Sequence, residues 1–425
     1  MSAERERKLD ELARRYRERL AQEWPEGEAD VTRIEEIVRR VEREVLRELT
    51  EEMLREQSGK RKGNHATCPE CGGRSRYRKQ NAQELVTLFG RVPVYRAYFH
   101  CPRCRQGHCP QDRAWGIGPG NATPGVQDLV GALAVGDAYV SVPSLLRRTR
   151  PQVVLDVKTI ERLSQRLGQQ VAAAPPAGFG RAERPLAVAM DGVMVPQRGG
   201  SKEARCGVIY EPDWEAGRRP ADCAGLRKEY LGTLESRDTL AQAVCARVRA
   251  RRPTRTTVVA ALGDGADWIW DGFAKYLPHR IEILDFYHVS ERLGVIAATM
   301  CPGDAAAARV WREEQEKDLL VLGPGRLLDR LEAWKPSGAG AQEVRRLQLG
   351  YFRNQRHRMN YPEYLRQGFP IGSGAVEGAC KHLVGDRFRG TGMRWKSPTA
   401  EPLLQLRSAL LTDPDLDLRP YALRA

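Results

Sequence analysis

The sequence predicts a multidomain α+β protein whose mixed α/β core is interrupted by an all-helical insertion. The chain of 425 residues is too long for a single compact core, so several domains are expected. Two Cys-x-x-Cys pairs precede a later series of apolar strands and stand apart from it. Those strands alternate with helices and are followed by a long charged stretch with only helical periodicity.

Composition and charge favour a globular protein with a polyanionic partner. Hydrophobic residues make up 41% and charged residues 29% of the chain, and no apolar run is long enough to span a membrane. The charged start has no apolar signal core, so we expect a cytoplasmic protein. Net charge is +14, but residues 1–60 carry 14 basic and 17 acidic side chains, so the excess lies beyond them. This excess of basic side chains predicts binding to the phosphates of a polyanion. The alternative is an arginine-rich composition that only reflects a GC-rich genome.

The first 60 residues predict two helices, over residues 3–24 and 32–57. Thr32 and Glu35 have the spacing of a capping box at the start of the second helix. Apolar residues there alternate steps of three and four, at Ile34, Val38, Val41, Val45 and Leu49. A helical hairpin packed on its own chain and a homodimer or higher oligomer are both compatible with this seam.

Four cysteines in the next region predict a structural zinc ribbon. They form CPEC and CPRC pairs, at Cys68, Cys71, Cys101 and Cys104. Two residues between thiolates let one turn present both sulfurs to a Zn²⁺ ion, and two such turns complete a tetrahedron. Nearby side chains that could replace one ligand are His100, His108 and Cys109.

Residues 124–172 predict three short helices resembling a helix-turn-helix unit. The last helix has Lys158, Arg162 and Arg166 on one face, at intervals of four residues. A basic final helix is what such a unit offers to the major groove of DNA. An ordinary amphipathic bundle with a solvated basic face remains the alternative. The Ala-, Pro- and Gly-rich stretch that follows indicates a linker.

The order of elements after this linker matches a ribonuclease-H-like fold. Three strands, a helix, a strand, a helix and a strand succeed one another before the helical stretch 289–370. The predicted strands are Leu186–Met190, Val193–Pro196, Cys206–Tyr210, Thr256–Leu262 and Ile281–Asp285. The predicted helices are Thr239–Arg251 and Ala266–Tyr276, and a final helix begins near Ser373.

Three acidic residues occupy positions that this fold brings to one sheet edge. Asp191 falls between two apolar strands, where a hairpin turn is the alternative. Asp264 follows a buried strand, where a helix cap is the alternative and Asp267 competes. Glu377 lies in the first turn of a helix, where a helix dipole also favours an acid. Three converging carboxylates predict a site for two Mg²⁺ or Mn²⁺ ions and phosphodiester chemistry.

Four motifs carry a resemblance to a known family. They are MDGVMVP around Asp191, GDGADWIW around Asp264, DFYHVSERL from Asp285, and GSGAVEGACKHLVGDRFRGTGMRW around Glu377. Over residues 65–400 the chain resembles the Mutator-like DDE transposases, most closely the Kra-group transposases of bacterial insertion sequences. The resemblance implies a ribonuclease-H-like core with a helical insertion, and DNA cleavage and joining at the ends of an insertion sequence.

The resemblance also implies roles for individual residues. Asp191, Asp264 and Glu377 match the three catalytic acids that bind two divalent cations. Asp285 and His288 match the family's short Asp-x-x-His signature and are expected to support the site. We found no departure from the family pattern at these five positions.

Basic side chains near Glu377 are further candidates for DNA contact. Lys381, Arg387 and Arg394 follow it closely and could reach phosphates. The expected partners are double-stranded DNA, the terminal inverted repeats of an insertion sequence and target DNA, with association to the nucleoid when bound. A non-catalytic, domesticated zinc-ribbon DNA-binding protein and a structure-specific nuclease on the same fold are the alternatives.

These inferences together predict six regions. They are an N-terminal helical region over 1–60, a zinc ribbon over 61–120, a helix-turn-helix-like unit over 121–172, a first core part over 185–289, a helical insertion over 290–370, and a second core part with the C-terminal tail over 371–425.

Overall fold

The computed structural model contains both α-helices and β-sheets. It describes residues 3–28, 30–58, 63–174, 185–212, 226–251 and 258–422. The chain forms two compact units, one of Met1–Val171 with Leu416–Ala425 and one of Ala172–Asp415. Most of the predicted linker and the start of the predicted strand Thr256–Leu262 lie outside the described residues. Within the described part of the chain, no helix has both the length and the apolar character needed to cross a membrane.

The first unit begins with the two predicted helices, α1 (Ala3–Glu23) and α2 (Val31–Gln57). The predicted capping box at Thr32 is wrong. Asp30 is the N-cap instead, and its carboxylate accepts a hydrogen bond from the Arg33 amide over 2.8 Å. Asp30 stands two residues earlier than the pattern of Thr and Glu suggests, and its side chain satisfies one of the free amides of the first turn.

Ion pairs join α1 to α2, because acids of α2 face basic residues of α1. These pairs include Lys8–Glu52, Arg15–Glu48 and Arg19–Glu44, and in the opposite sense Arg40 of α2 pairs with Glu23 of α1. The predicted apolar seam of α2 is only partly buried: Val41 is 3% exposed, whereas Val38 is 55% exposed. The buried part of α2 lies against the sheet that follows.

A four-stranded antiparallel sheet and a group of helices complete the first unit. The strands, in spatial order, are β1 (His65–Thr67), β2 (Arg74–Thr87), β3 (Gly90–His100) and β4 (Gly107–His108). The helices are α3 (Pro110–Ala114), α4 (Pro124–Gly136), α5 (Val142–Thr149) and α6 (Val157–Ala173). The last three are the predicted three-helix group, and they bury one apolar core with the end of β2.

The second unit is built on a five-stranded sheet of order β7-β6-β5-β8-β9. Its strands are β5 (Leu186–Gln197), β6 (Gly200–Glu211), β7 (Leu226–Thr233), β8 (Val259–Gly263) and β9 (Ile281–Leu284). β5, β6 and β7 are antiparallel neighbours, whereas β5, β8 and β9 are parallel. The carboxyl ends of β8 and β9 and the middle of β5 therefore meet at one edge.

Two strand predictions in this sheet are wrong. The expected break at Asp191 is absent, since β5 runs through it and the hairpin turn comes at Gly199, with φ 93°. Gly192 on β5 lies close to the Glu203 side chain on β6. A Cβ at Gly192 would lie 2.4 Å from Oε1 of Glu203. Strand β7 has no counterpart in the prediction, because its sequence, LRKEYLGT, mixes charged and apolar residues without clear alternation.

Helices cover this sheet and fill the segment after β9, as predicted. In chain order they are α7 (Arg237–Arg251), α8 (Asp267–Tyr276), α9 (Phe286–Met300), α10 (Ala305–Leu322), α11 (Gly325–Ala333), α12 (Ala339–Gln355) and α13 (Tyr361–Arg366). The chain then forms α14 (Gly374–Ala379), a π-helical segment (Cys380–Gly385), α15 (Asp386–Phe388) and α16 (Ser397–Thr412). A last helix, α17 (Arg419–Ala422), belongs to the first unit.

Candidate metal centres

Four sulfurs converge in the first unit, and we call them the thiolate cluster. Its members are Cys68, Cys71, Cys101 and Cys104, whose Sγ atoms all lie within 4.8 Å of one another. Cys68 and Cys104 are 3.5 Å apart, and Cys71 and Cys101 are 3.6 Å apart. Sulfurs bound to one zinc at about 2.3 Å in a tetrahedron lie about 3.8 Å apart, so this group could hold Zn²⁺.

The two turns that present these sulfurs have matching backbones. The Cys68 amide donates to the Gly73 carbonyl, and the Cys101 amide donates to the Gln106 carbonyl, both over 2.8 Å. Gly72 has φ 68°, and Arg105 takes the equivalent left-handed position at 59°. Backbone amides beyond each first cysteine donate to its sulfur, and they lower the pKa of Cys68 and lower that of Cys101 to about 6. Each turn thus favours the thiolate form of its first cysteine, which a metal requires, whereas burial and contacts with the other sulfurs raise the pKa of Cys104 to about 12.

The alternative zinc ligands do not join this cluster. His108 donates to or accepts from the Ser75 hydroxyl over 2.9 Å and stacks on Phe99. Among the described residues, His100 and Cys109 also lie outside the four-sulfur group.

Acidic side chains and one histidine meet at the edge of the second sheet, and we call them the acidic cluster. It comprises Asp191, Asp264, Asp285, His288 and Glu377. Potential ligand atoms of Asp285, His288 and Glu377 lie within 4.8 Å of one another, so these three could hold a metal ion. The charges of Asp191 and Asp264 act on this cluster, since Asp264 influences the pKa of both Asp191 and His288.

Asp285 is buried and fully engaged in hydrogen bonds. It caps α9, where Oδ2 accepts from the His288 amide over 3.1 Å and also contacts His288 Nδ1 over 2.5 Å. Its Oδ1 accepts from the Ser373 amide over 2.6 Å, which ties the chain just before α14 to the end of β9. Because Nδ1 of His288 is occupied by Asp285, the ring nitrogen left for a ligand is Nε2.

Asp285 also controls the charge of His288. The hydrogen bond from Asp285 raises the pKa of His288 to about 9, against the opposing effect of burial. In the absence of a cation the imidazole is therefore protonated near neutral pH and stands among carboxylates. A metal ion would take the place of this proton.

Two side chains of α12 donate hydrogen bonds to the turn that contains Asp264. The Tyr351 hydroxyl donates to the Asp264 carbonyl over 2.8 Å, and the Gln355 side chain donates to the Gly265 carbonyl over 3.3 Å. Gly265 has φ 99°, and a Cβ there would lie 2.5 Å from the Tyr351 hydroxyl oxygen. The carboxylate of Asp264 accepts from the Ala266 amide over 2.9 Å. The sequence carried no signal for this support from α12.

Asp191 is held by β5 and by the segment after Glu377. Its Oδ1 accepts from the Gly192 amide over 2.6 Å, and the Cys380 thiol donates to its Oδ2 over 3.5 Å. Burial raises the pKa of Asp191, and the negative charge of Asp264 raises it further. The sequence alone predicted no role in the site for Cys380. Its spacing of three residues from Glu377 was the available signal, because residues three apart share a helix face.

Glu377 lies in the first turn of α14, and it is exposed. Its amide donates to the Ser373 carbonyl, and the Ser373 hydroxyl donates to Glu377 Oε1 over 2.9 Å. The structure groups its carboxylate with Asp285 and His288. Asp191 and Asp264 are linked to this group through their charges, which act on each other and on His288. Of the predicted triad, Glu377 thus joins the Asp-x-x-His pair as a potential metal ligand, and Asp191 and Asp264 are not members of that group of three.

The basic residues predicted to contact DNA divide into two groups. Exposed side chains are those of Lys158, Arg162, Lys381 and Arg394. Arg166 instead donates to the carbonyls of Ile117 and Ala422, over 3.1 and 3.5 Å, and burial lowers its pKa. Arg387 is 2% exposed and lies 5.1 Å from the centre of the Trp395 ring. The guanidinium groups of Arg166 and Arg387 thus contact other parts of this chain, because neighbouring segments cover the helix faces that carry them.

In comparisons with known proteins, no family model matches this chain and no curated protein matches its sequence. The family resemblance therefore rests on the four sequence motifs.

Proposed function

We propose that this chain is a DNA transposase that cleaves and joins phosphodiester bonds at the ends of an insertion sequence. The observation that carries the proposal is the convergence of Asp285, His288 and Glu377 within 4.8 Å, beside Asp191 and Asp264. All five belong to the motifs that resemble Mutator-like DDE transposases. A partly exposed group of acids at a sheet edge is accessible to a large substrate.

The strand order supports interpreting the second sheet as a ribonuclease-H-like core. Three antiparallel strands precede two parallel ones, in the spatial order β7-β6-β5-β8-β9. Helices α9 to α13 then separate β9 from α14, which is where the resemblance implies an insertion. In this interpretation Asp191 comes from the first strand, Asp264 from the end of the fourth and Glu377 from a later helix.

The donor atoms of the acidic cluster fit Mg²⁺ or Mn²⁺. The carboxylates of Asp191, Asp264 and Glu377 supply hard oxygen ligands, and one imidazole is a ligand that Mn²⁺ accepts more readily than Mg²⁺. Bound divalent cations would activate the attacking oxygen and stabilise the leaving one during in-line displacement. The protein holds the ligands, and Asp285 orients His288 through Nδ1.

The test is cleavage and joining of a labelled duplex that carries the DNA flanking the gene, with its short inverted repeats, in Mg²⁺ or Mn²⁺. Asp264→Asn and Glu377→Gln each keep the side-chain shape and remove one ligand charge. We expect either change to lower cleavage by more than about 100-fold, since even losses outside the direct ligands cost 10- to 100-fold. Asp267→Asn is the matched control, because Asp267 is exposed on the first turn of α8.

The outcomes separate the alternatives. Cleavage without joining on branched substrates would favour a structure-specific nuclease. Duplex binding without cleavage in either cation would favour a non-catalytic DNA-binding protein. If the Asp285→Ala and His288→Ala variants each cleave at rates within about twofold of wild type, this pair has only a structural role.

A further inference from the structure

The first unit contains a groove lined by arginines, between α2 and the end of α5. Its volume is about 890 Å³. The arginines contributed by α2 are Arg33, Arg39, Arg40 and Arg43. Those contributed by α5 and the residue after it are Arg147, Arg148 and Arg150. Among the described residues that line the groove, the acids are Glu36 and Glu42. We call this surface the arginine groove.

The arginine groove is basic although the first 60 residues are acidic in sum. Helix α2 directs its later acids toward α1, where Glu44, Glu48 and Glu52 pair with basic residues. Its earlier arginines remain on another face. The net charge of the segment therefore conceals a one-sided distribution, and charge counting along the sequence does not reveal the groove.

Most of these arginines have no acidic partner in the described part of the chain. Arg33 pairs with Glu36 at 3.7 Å, and Arg40 pairs with Glu23. Arg43 donates to the Arg39 carbonyl over 3.1 Å. No ion pair engages Arg147, Arg148 or Arg150 among the described residues, and all three are exposed. Gathering so many like charges without neutralisation costs energy unless an anion is bound.

The two walls are held together by the turn between β2 and β3. The Gln152 side chain, just after α5, donates to the Leu88 carbonyl over 2.8 Å. A Cβ on Gly90 would lie 3.6 Å from Arg47 of α2 and 3.7 Å from Gln152. Contacts with this turn therefore connect both walls of the groove within one packed unit.

We propose that the arginine groove binds the phosphate backbone of double-stranded DNA. From Arg33 to Arg43 the α2 wall extends about 15 Å, at 1.5 Å per residue, which is longer than one phosphate group requires. Duplex DNA presents phosphates about every 3.4 Å along each strand. Proteins that bind single strands stack bases on aromatic rings, whereas Phe89 is the single aromatic residue among those that line this groove.

This site goes beyond the proposed function, because it lies in the first unit and needs no metal at the acidic cluster. Its test is binding of the full chain to a 30-base-pair duplex of arbitrary sequence, without added Mg²⁺ or Mn²⁺. The test variant is R147E/R148E/R150E. The control is R7E/R14E/R17E, which makes the same change in net charge on exposed positions of α1.

We expect the groove variant to lose at least tenfold in affinity at about 0.1 M salt. Its log–log salt dependence should fall by about 2 to 3, because each lost phosphate contact removes about 0.9. The control should stay within about threefold of wild type. Unchanged zinc content and thermal unfolding show that both variants fold.

Three results would overturn the proposal. One is wild-type affinity in the groove variant, and another is an equal loss in both variants, which would indicate net charge alone. The third is tighter binding of wild type to the single strand than to the duplex. Absence of cleavage in the experiment on the acidic cluster leaves this proposal standing, so the two can fail separately.

Discussion

The thiolate cluster and the acidic cluster differ in how the chain assembles them. Two short turns supply all four sulfurs, and Cys68 and Cys101 are buried. The acidic cluster draws on β5, the ends of β8 and β9, and helices α9 and α14, and its Glu377 is exposed. A closed set of four like ligands leaves no position for a substrate, whereas an open set of unlike ligands does. We therefore expect the first to determine stability and the second to determine chemistry.

The largest expected effect is loss of zinc from the thiolate cluster. Cys101→Ser should reduce bound zinc from about one ion per chain to none and unfold the β1–β4 sheet, because structural zinc contributes about 10 kcal/mol or more to folding. Elemental analysis and thermal unfolding measure both changes. Cys301→Ser is the matched control, since Cys301 lies outside the cluster. A wild-type protein that is stably folded and free of zinc would refute the assignment.

This contrast also explains what the sequence could reveal. The four sulfurs were predictable because each Cys-x-x-Cys turn is local, and only one long-range contact had to be assumed. Asp191, Asp264 and Glu377 were predicted from motifs as one site, whereas the structure groups Glu377 with Asp285 and His288. Which acids come together depends on which strands become neighbours. Contacts such as those of Tyr351 with Asp264 and of Ser373 with Asp285 join segments far apart in the chain. Local patterns contain no information on such pairs.

The next effect is a pH dependence of stability that originates in His288 of the acidic cluster. Because the folded-state pKa of His288 is raised to about 9, its stabilisation is complete below about 6.5 and is lost as pH rises through 9. The imidazole is partly exposed, so we expect about 2 kcal/mol or less after screening by solvent. Denaturant unfolding of wild type and His288→Gln, without added Mg²⁺ or Mn²⁺, measures it. Parallel pH curves for the two proteins would show that His288 is not the source.

A smaller effect is stabilisation by the divalent cation itself. Mn²⁺ at ten times its dissociation constant should raise the free energy of unfolding by about 1.4 kcal/mol, since it binds only the folded chain. Glu377→Gln should lose most of this gain, and Glu314→Gln, an exposed change on α10, should keep it. Thermal unfolding across a Mn²⁺ titration provides the measurement. Equal gains in all three proteins would place the cation elsewhere.

The smallest expected effect concerns Cys380, a cysteine that contacts Asp191 of the acidic cluster. Contact with Cys206, burial and the charge of Asp191 raise the pKa of Cys380 far above its usual range. It therefore remains a thiol that donates to Asp191, and it does not act as a thiolate ligand.

Removing this donor should loosen the Asp191 carboxylate without removing a ligand. A hydrogen bond of this kind contributes about 0.5 to 1.5 kcal/mol, so Cys380→Ala should lower cleavage and Mn²⁺ affinity by about 2- to 10-fold. Cys380→Ser keeps a donor and should restore most of the loss. Cys245→Ala, which removes a buried thiol from α7, controls for the cavity. If Cys380→Ser instead abolished Mn²⁺ binding, sulfur would be a metal ligand at this edge, and the distinction between a sulfur centre and an oxygen centre would fail.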